Sequence, residues 1–384
     1  MTVPSGLTEG PIYLDYNATT PVDPAVTEAM QPYLSTMFGN PSSDHYYGHG
    51  PHAALEQARD QVAALIGAGG GRVVFTGSGS EADNLAIRGA ALASGRDRPH
   101  VITQHTEHPA VLQACAALQR WHGAEVTYLP VDRDGVVDPS TLADAITPRT
   151  VLVSIMAANN ETGALQPISD LVRIAHEHGV LFHSDAAQAI GKIPFDAAAL
   201  DVDLLTVVGH KMYAPKGIAA LFVRSGVLLE PVVYGGGQEH GLRAGTENVA
   251  LAVGLGVAAQ LAADDLAAGG HHRVQQLRDR LHDRLAAGLP DRVLLNGPAT
   301  ARLPNTLNVS IRGTTGHELL TALPGIAAST GSACHSGTHE PSPVLTAMGL
   351  DTDRSLSALR LSLGRWSTTD DIDHAADLIV KAAG

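Results

Sequence analysis

Five short stretches of this 384-residue chain hold residue types that do chemistry. In Phe75-Thr76-Gly77-Ser78-Gly79-Ser80-Glu81 an apolar strand pattern runs through small residues into a helical one. Backbone N–H groups at such a helix start, with the Ser78 and Ser80 hydroxyls, make an anion site. An ordinary N-cap at Ser80 accounts for the same residues. The stretch is neither a Walker A loop nor a dinucleotide-binding glycine fingerprint. In VLFHSDAAQ, Asp185 follows an apolar run, where a carboxylate either caps the next helix or pairs with a cationic ring nitrogen. In LLTVVGHK, Lys211 directly follows another apolar run. Lysines are seldom buried unless paired or functional, and desolvation lowers their pKa from ~10.4 toward a neutral, nucleophilic amine.

The other two stretches hold a thiol and a cation. Cys334 lies among Gly331, Ser332, Ala333, His335, Ser336 and Gly337, a small and polar setting that favours an accessible thiol. Cys115, within VLQACAALQ, has apolar neighbours at helical spacing and reads as packing. Arg360, inside the alternating pattern LRLSLG, offers a rigid fork for a carboxylate or serves a structural ion pair. Taken in chain order, a phosphate-type cradle, a carboxylate for a ring nitrogen and a strand-end lysine are the three needs of pyridoxal phosphate: anchor, electron sink and covalent tether.

Elements able to position these residues alternate along the chain. Strands are expected at 72–76, 100–103, 125–129, 151–156, 180–183, 203–208 and 217–223. Helices are expected at 52–66, 81–93, 109–121, 139–146 and 168–177. This pattern predicts an α/β fold with a mainly parallel central sheet covered on both faces, its ligands beyond the carboxyl ends of the strands. An alanine-rich helix from about Thr246 to Ala267, a second to Leu289, and strands at 306–311 and 359–363 follow, suiting a smaller α+β domain. The expected division is a large domain at 20–262 and a small one formed by 1–19 and 263–384.

Composition narrows the function. With 25 Lys and Arg against 39 Asp and Glu, the net charge of −14 argues against nucleic-acid or anionic-lipid partners. Two cysteines cannot build a disulfide framework, a four-thiolate zinc site or a chain-borne iron–sulfur cluster, and they suggest a reducing, cytoplasmic setting. No signal peptide or membrane span is expected. The 19 histidines lack metal-ligand spacing, so no metal site is expected.

In this order the motifs resemble the cysteine desulfurase family, class V aminotransferase-like enzymes of the aspartate aminotransferase fold (type I) that depend on pyridoxal 5′-phosphate. The resemblance spans YLDYNATTPVDPAV from Tyr13 to LRLSLGRWSTTDDID ending at Asp373. Between them stand FGNPSS, TGSGSEADNLAIRG, TEHPAV, NNETGALQPI, HSDAAQAIGK, GHKMYAPKG, GLRAGTEN and GSACHSGTHEPSPVL. It implies conversion of L-cysteine to L-alanine, with a persulfide on Cys334 serving sulfur transfer such as iron–sulfur cluster or thio-cofactor assembly. It further implies that Lys211 tethers the cofactor, Asp185 keeps its ring nitrogen protonated, Gln188 bonds its O3′ and His108 stacks on its face. Gly79, Ser80 and His210 would hold the phosphate, joined by Thr246 from the second subunit of a homodimer. Asn160, also a cofactor contact, and Arg360 would hold the substrate carboxylate, His108 would join Lys211 and Cys334 as a catalytic residue, and a sulfur-acceptor or scaffold protein would take the sulfur. Many desulfurases carry a serine just before Gly-His-Lys, where this chain has Val208. TVVGHK, GGGQE, GTEN and ACHS look closer to selenocysteine lyase, which makes release of selenium from L-selenocysteine the alternative activity. A partner-dependent sulfur-delivery scaffold is the second alternative.

Overall fold

The computed structural model describes residues 2–331 and 340–384. Its central sheet has seven strands. From edge to edge they are Gly71–Thr76, Ala219–Arg224, Leu204–Val208, Leu181–Asp185, Thr150–Ser154, His100–Gln104 and Glu125–Leu129. Only Ala219–Arg224 runs against its neighbours; the other pairings are parallel. Helices cover both faces, so inner strands such as Thr150–Ser154 and Leu204–Val208 are buried along their whole length. The parallel strands all end at one edge of the sheet. The residues after Thr76, at Asp185 and after Val208 therefore meet there.

Local signals set the helices that flank this edge. Gly79–Ala93 starts where the Ser78 hydroxyl accepts from Glu81 N at 3.1 Å, and it buries Ala82, Leu85, Ala86 and Ala90. The cap is therefore Ser78 and not Ser80, which lies inside the first turn. Pro109–His122 has a proline at its first turn, His108 as cap, and Gly123 in the left-handed conformation at its end (φ 62°). Tyr46–Leu65 begins six residues earlier than the expected 52 and carries Pro51 inside it. The missing N–H of Pro51 costs one helical bond, but Gly48, Pro51, Ala54 and Leu55 are all buried, and packing outweighs the break.

Val249–Ala267 is long and apolar enough by composition to cross a membrane. Here it packs against Pro24–Ser35 and Tyr46–Leu65, with Ala252, Leu255, Ala258, Ala259 and Ala262 in the main core. Beyond it, Ala358–Ser362, Thr306–Ile311 and Val293–Leu295 form an antiparallel sheet that places Arg360 opposite Asn308. The helices Gly270–Gly288 and Thr369–Ala383 pack on it around Leu281, Leu285, Leu307, Leu361 and Ile379. Thr368 and Asp371 close a capping box at the start of the last helix. The N-terminal segment joins this second core through Leu14, and its strand Ile12–Tyr13 pairs in parallel with Ile326–Ala327. Residues 12–17 thus reach both layers.

Candidate active site

A cavity of about 520 Å³ opens at the shared strand edge. Gly79, Ser80, His108, Asn160, Asp185, Gln188, His210, Lys211 and Arg360 all line it, so nine of the residues singled out in the sequence come together. Thr246 is exposed and lies outside the lining. Cys334 lies outside the described residues. Cys115 is fully buried in the core, where burial and then the nearby Glu107 push its thiol up to about 12.

Lys211 ends the short turn Gly209–Lys211, directly beyond the buried strand. Its Nζ donates to the carbonyls of Asn17 at 2.7 Å and Ala18 at 2.8 Å. Burial, followed by the positive Arg360, pulls its pKa down to about 8, while Asp185 and Asp15 act in the other direction. The amine is therefore accessible in its neutral form near neutral pH. Asp185 is the last residue of its strand; its Oδ1 accepts from Ala187 N at 2.9 Å, so it does cap the following turn. Burial raises its carboxyl, and the Ala187 N–H, His108 and Lys211 all favour the charged form.

Behind Asp185 stands a polar layer absent from the sequence-based expectations. His183 is fully buried, with Ser154 Oγ at 2.8 Å from Nδ1 and Thr206 Oγ1 at 3.0 Å from Nε2. Burial pushes it down to about 3, which keeps it neutral. Asp83 lines the cavity beside this layer, and its buried Oδ1 has no hydrogen-bond partner among the described residues.

At the cradle, a Cβ on Gly79 would stand 2.6 Å from Val208 Cγ2, so Val208 closes one wall and only glycine fits opposite it. His210 contacts Thr19 Oγ1 at 3.2 Å through Nδ1; burial first, then Lys211 and Lys216, lower its pKa to about 4. His108 Nδ1 accepts from Ala110 N at 3.1 Å, which leaves Nε2 to carry the proton of the neutral ring. On the other side, Arg360 is 7% exposed, pairs with Asp15 at 2.8 Å and reaches the carbonyl of Asn160 at 3.4 Å. The structural ion pair and the available fork coexist: Arg360 Nε is buried with no partner among the described residues.

Sequence reasoning missed Asn17, Asp83, Lys192 and Lys216. Asn17 is the hub. Its carbonyl takes Lys211 and Gln188, its Oδ1 takes Asn305 at 2.9 Å, and its Nδ2 donates to Thr306 at 2.8 Å and to the Asn160 carbonyl at 3.1 Å. These partners lie 143 to 289 residues away, so no local signal marks it.

The chain belongs to the class-V aminotransferase family, whose sequence profile matches residues 12–374, and within it to the cysteine desulfurases. It is 47% identical over 378 residues to the mitochondrial cysteine desulfurase of Drosophila melanogaster, covering 97% of this chain and 81% of that one. It is 48% identical over 371 residues to cysteine desulfurase IscS of Anaeromyxobacter dehalogenans, covering 96% and 91%. A solved NifS-like protein superposes with a TM-score of 0.87 at 35% identity, covering 97% of this chain and 98% of that one. These relatives favour the desulfurase over the selenocysteine lyase reading.

The cofactor of this family is pyridoxal 5′-phosphate, and the residues present fit it. A buried carboxylate, a lysine amine held by carbonyls, a glycine cradle without room for a side chain and an arginine whose Nε has no partner among the described residues meet in one cavity.

Proposed function

We propose that this chain is a pyridoxal 5′-phosphate-dependent cysteine desulfurase that turns L-cysteine into L-alanine. It leaves the sulfur on Cys334 as a persulfide for an acceptor protein. The observation that carries the site assignment is the meeting of Lys211, Asp185 and Arg360 in one buried cavity. When bound, the cofactor supplies an aldehyde for covalent attachment and a ring that withdraws electrons from the substrate α-carbon.

The residues of the chain divide the remaining tasks. Lys211 would hold the cofactor through Nζ, and the same amine would accept the substrate's α-proton; its depressed pKa suits both tasks. Asp185 would hold a proton at the ring nitrogen, Gln188 would donate to O3′, and His108 would stack on the ring. Gly79, Ser80 and His210 hold the phosphate, with Val208 giving no hydroxyl there. Asn160 and the Arg360 guanidinium, which both line the cavity, would receive the substrate carboxylate. Cys334 takes the substrate sulfur, and with only two cysteines in the chain and Cys115 buried, the sulfur leaves to another molecule.

The same proposal includes a homodimer in a cytosolic setting. Phe38, Tyr46 and Tyr47 form an exposed aromatic cluster with ring centroids 5.4 and 5.5 Å apart, and exposed Thr246 is free to reach a second copy's phosphate end. A division into 20–262 against 1–19 with 263–384 is supported by the separate core that Leu14 shares with Leu281 and Leu361.

The test is incubation with L-cysteine and mass analysis of the peptide carrying Cys334, where one added sulfur is expected. Cys334→Ala should keep the visible absorbance of the cofactor and lose sulfur release. Turnover of cysteine by that variant at the wild-type rate would overturn the persulfide assignment.

A further inference from the structure

Lys192 follows Gln188 by four residues and does not line the cavity. Its amine is part-buried, and burial pushes its pKa well below the ordinary lysine value, helped by the positive Lys211 and Arg360. No carboxylate lies within ion-pair distance of it among the described residues. Its hydrogen bonds go instead to Gln188 Oε1 at 2.5 Å and Asn17 Oδ1 at 3.3 Å. A lysine head offers donors only, and both atoms it meets are acceptors. An apolar side chain of similar length would fill this place without the desolvation cost of an amine lacking a counter-charge. The two bonds are therefore the reason for a lysine here.

Both partners belong to the site. A primary amide can face a ligand with either its oxygen or its nitrogen. Lys192 takes the oxygen of Gln188, while Gln188 Nε2 donates one hydrogen to the Asn17 carbonyl at 3.0 Å. No second partner takes the other hydrogen on Nε2 among the described residues, and the side chain lines the cavity. The same Asn17 carbonyl accepts from Lys211 at 2.7 Å, so Lys192 also steadies the residue against which the reactive amine rests.

We propose that Lys192 is a positioning residue that holds the Gln188 amide with its N–H toward the cavity, so that the site accepts only a hydrogen-bond acceptor, the phenolic oxygen of the cofactor, at that point. This rests on the cofactor assignment above.

A double-mutant cycle tests it, read as the dissociation constant of pyridoxal 5′-phosphate from the apoenzyme by fluorescence titration. Gln188→Ala and Lys192→Met should each weaken binding by about tenfold, the worth of one lost hydrogen bond to a charged acceptor. Adding Lys192→Met to Gln188→Ala should cost less than about twofold more, because the amide it orients is already gone. The visible absorbance of the attached cofactor should titrate at a shifted pH in both single variants, and by the same amount in the double one. Losses that multiply, to about a hundredfold, would show that Lys192 acts independently of Gln188 and overturn the proposal. Should Lys192→Met fail to fold by thermal melting, the cycle with Lys192→Gln reads the same coupling. A Gln188→Ala variant that binds as tightly as wild type would instead count against the cofactor role of Gln188, a separate failure.

Discussion

The neutral amine of Lys211 gives the sharpest quantitative expectation. Its pKa falls from 10.5 to about 8, mainly through burial, with Arg360 second and Asp185 and Asp15 opposing. That lowering corresponds to about 3 kcal/mol between the two protonation states. At pH 7 about one molecule in ten then carries a free amine, against about one in three thousand for an ordinary lysine, a gain of about 300-fold. The perturbation is pH, applied to the apoenzyme. The assay is the rate at which added pyridoxal 5′-phosphate develops the visible absorbance of the attached cofactor, from about pH 6 to about pH 10 at fixed ionic strength. The rate should rise with pH and level off above about pH 8, since deprotonation creates the nucleophile. Arg360→Gln removes a positive neighbour and should move the midpoint up, by less than burial moves it down; Asp185→Asn removes a negative one and should move it down further. The folded state binds fewer protons at Lys211 than the unfolded chain between about pH 8 and about pH 10.5, so this residue's share of stability rises with pH across that window. A rate that keeps climbing to about pH 10, or a midpoint lowered by Arg360→Gln, would refute the reasoning.

Further outcomes follow from individual contacts. Gly79→Ala places a Cβ 2.6 Å from Val208 Cγ2 and should weaken cofactor binding by about 5- to 150-fold, the equivalent of about 1–3 kcal/mol of overpacking, measured by titrating the apoenzyme. Asp203→Ala should destabilise the fold by about 3–5 kcal/mol in denaturant melts, because the fully buried carboxylate serves Arg224, His176 Nε2 at 2.8 Å and Phe182 N at 2.6 Å. Lys211→Ala should lose the visible absorbance of the attached cofactor and all alanine release, followed by spectroscopy and amino-acid analysis. At matched concentrations, turnover of L-cysteine should leave sulfur on Cys334, and a variant lacking that thiol should release alanine from L-cysteine far more slowly than from L-selenocysteine, whose selenolate leaves more readily.

Much of the fold was legible because its signals are local. The strands 125–129 and 306–311 and the helix 168–177 fall where the apolar periodicity puts them. Boundaries moved where tertiary packing overrides a local break, as at Pro51 inside Tyr46–Leu65. The candidate site was legible wherever a reactive residue ends a buried strand, as with Asp185 and Lys211. It was not legible at Asn17, whose partners at 160, 188, 211, 305 and 306 are scattered along the chain. Nor did spacing show that Ser78 rather than Ser80 caps the helix. That choice depends on the extended backbone of Ser78 (φ −169°, ψ 166°), whose hydroxyl reaches Glu81 N.

By itself, then, the sequence determined which reactive residues exist, their order, and which strand ends carry them, since residue type and short-range periodicity are properties of neighbouring positions. Only the tertiary structure decided their protonation and their partners. Burial, not composition, brings Lys211 to about 8 and leaves His183 neutral. Folding also sets Arg360 against Asp15 and Lys192 against Gln188 and Asn17. Desolvation and hydrogen bonding act through space, and residues 12–17, which contact both layers, link residues far apart in the chain.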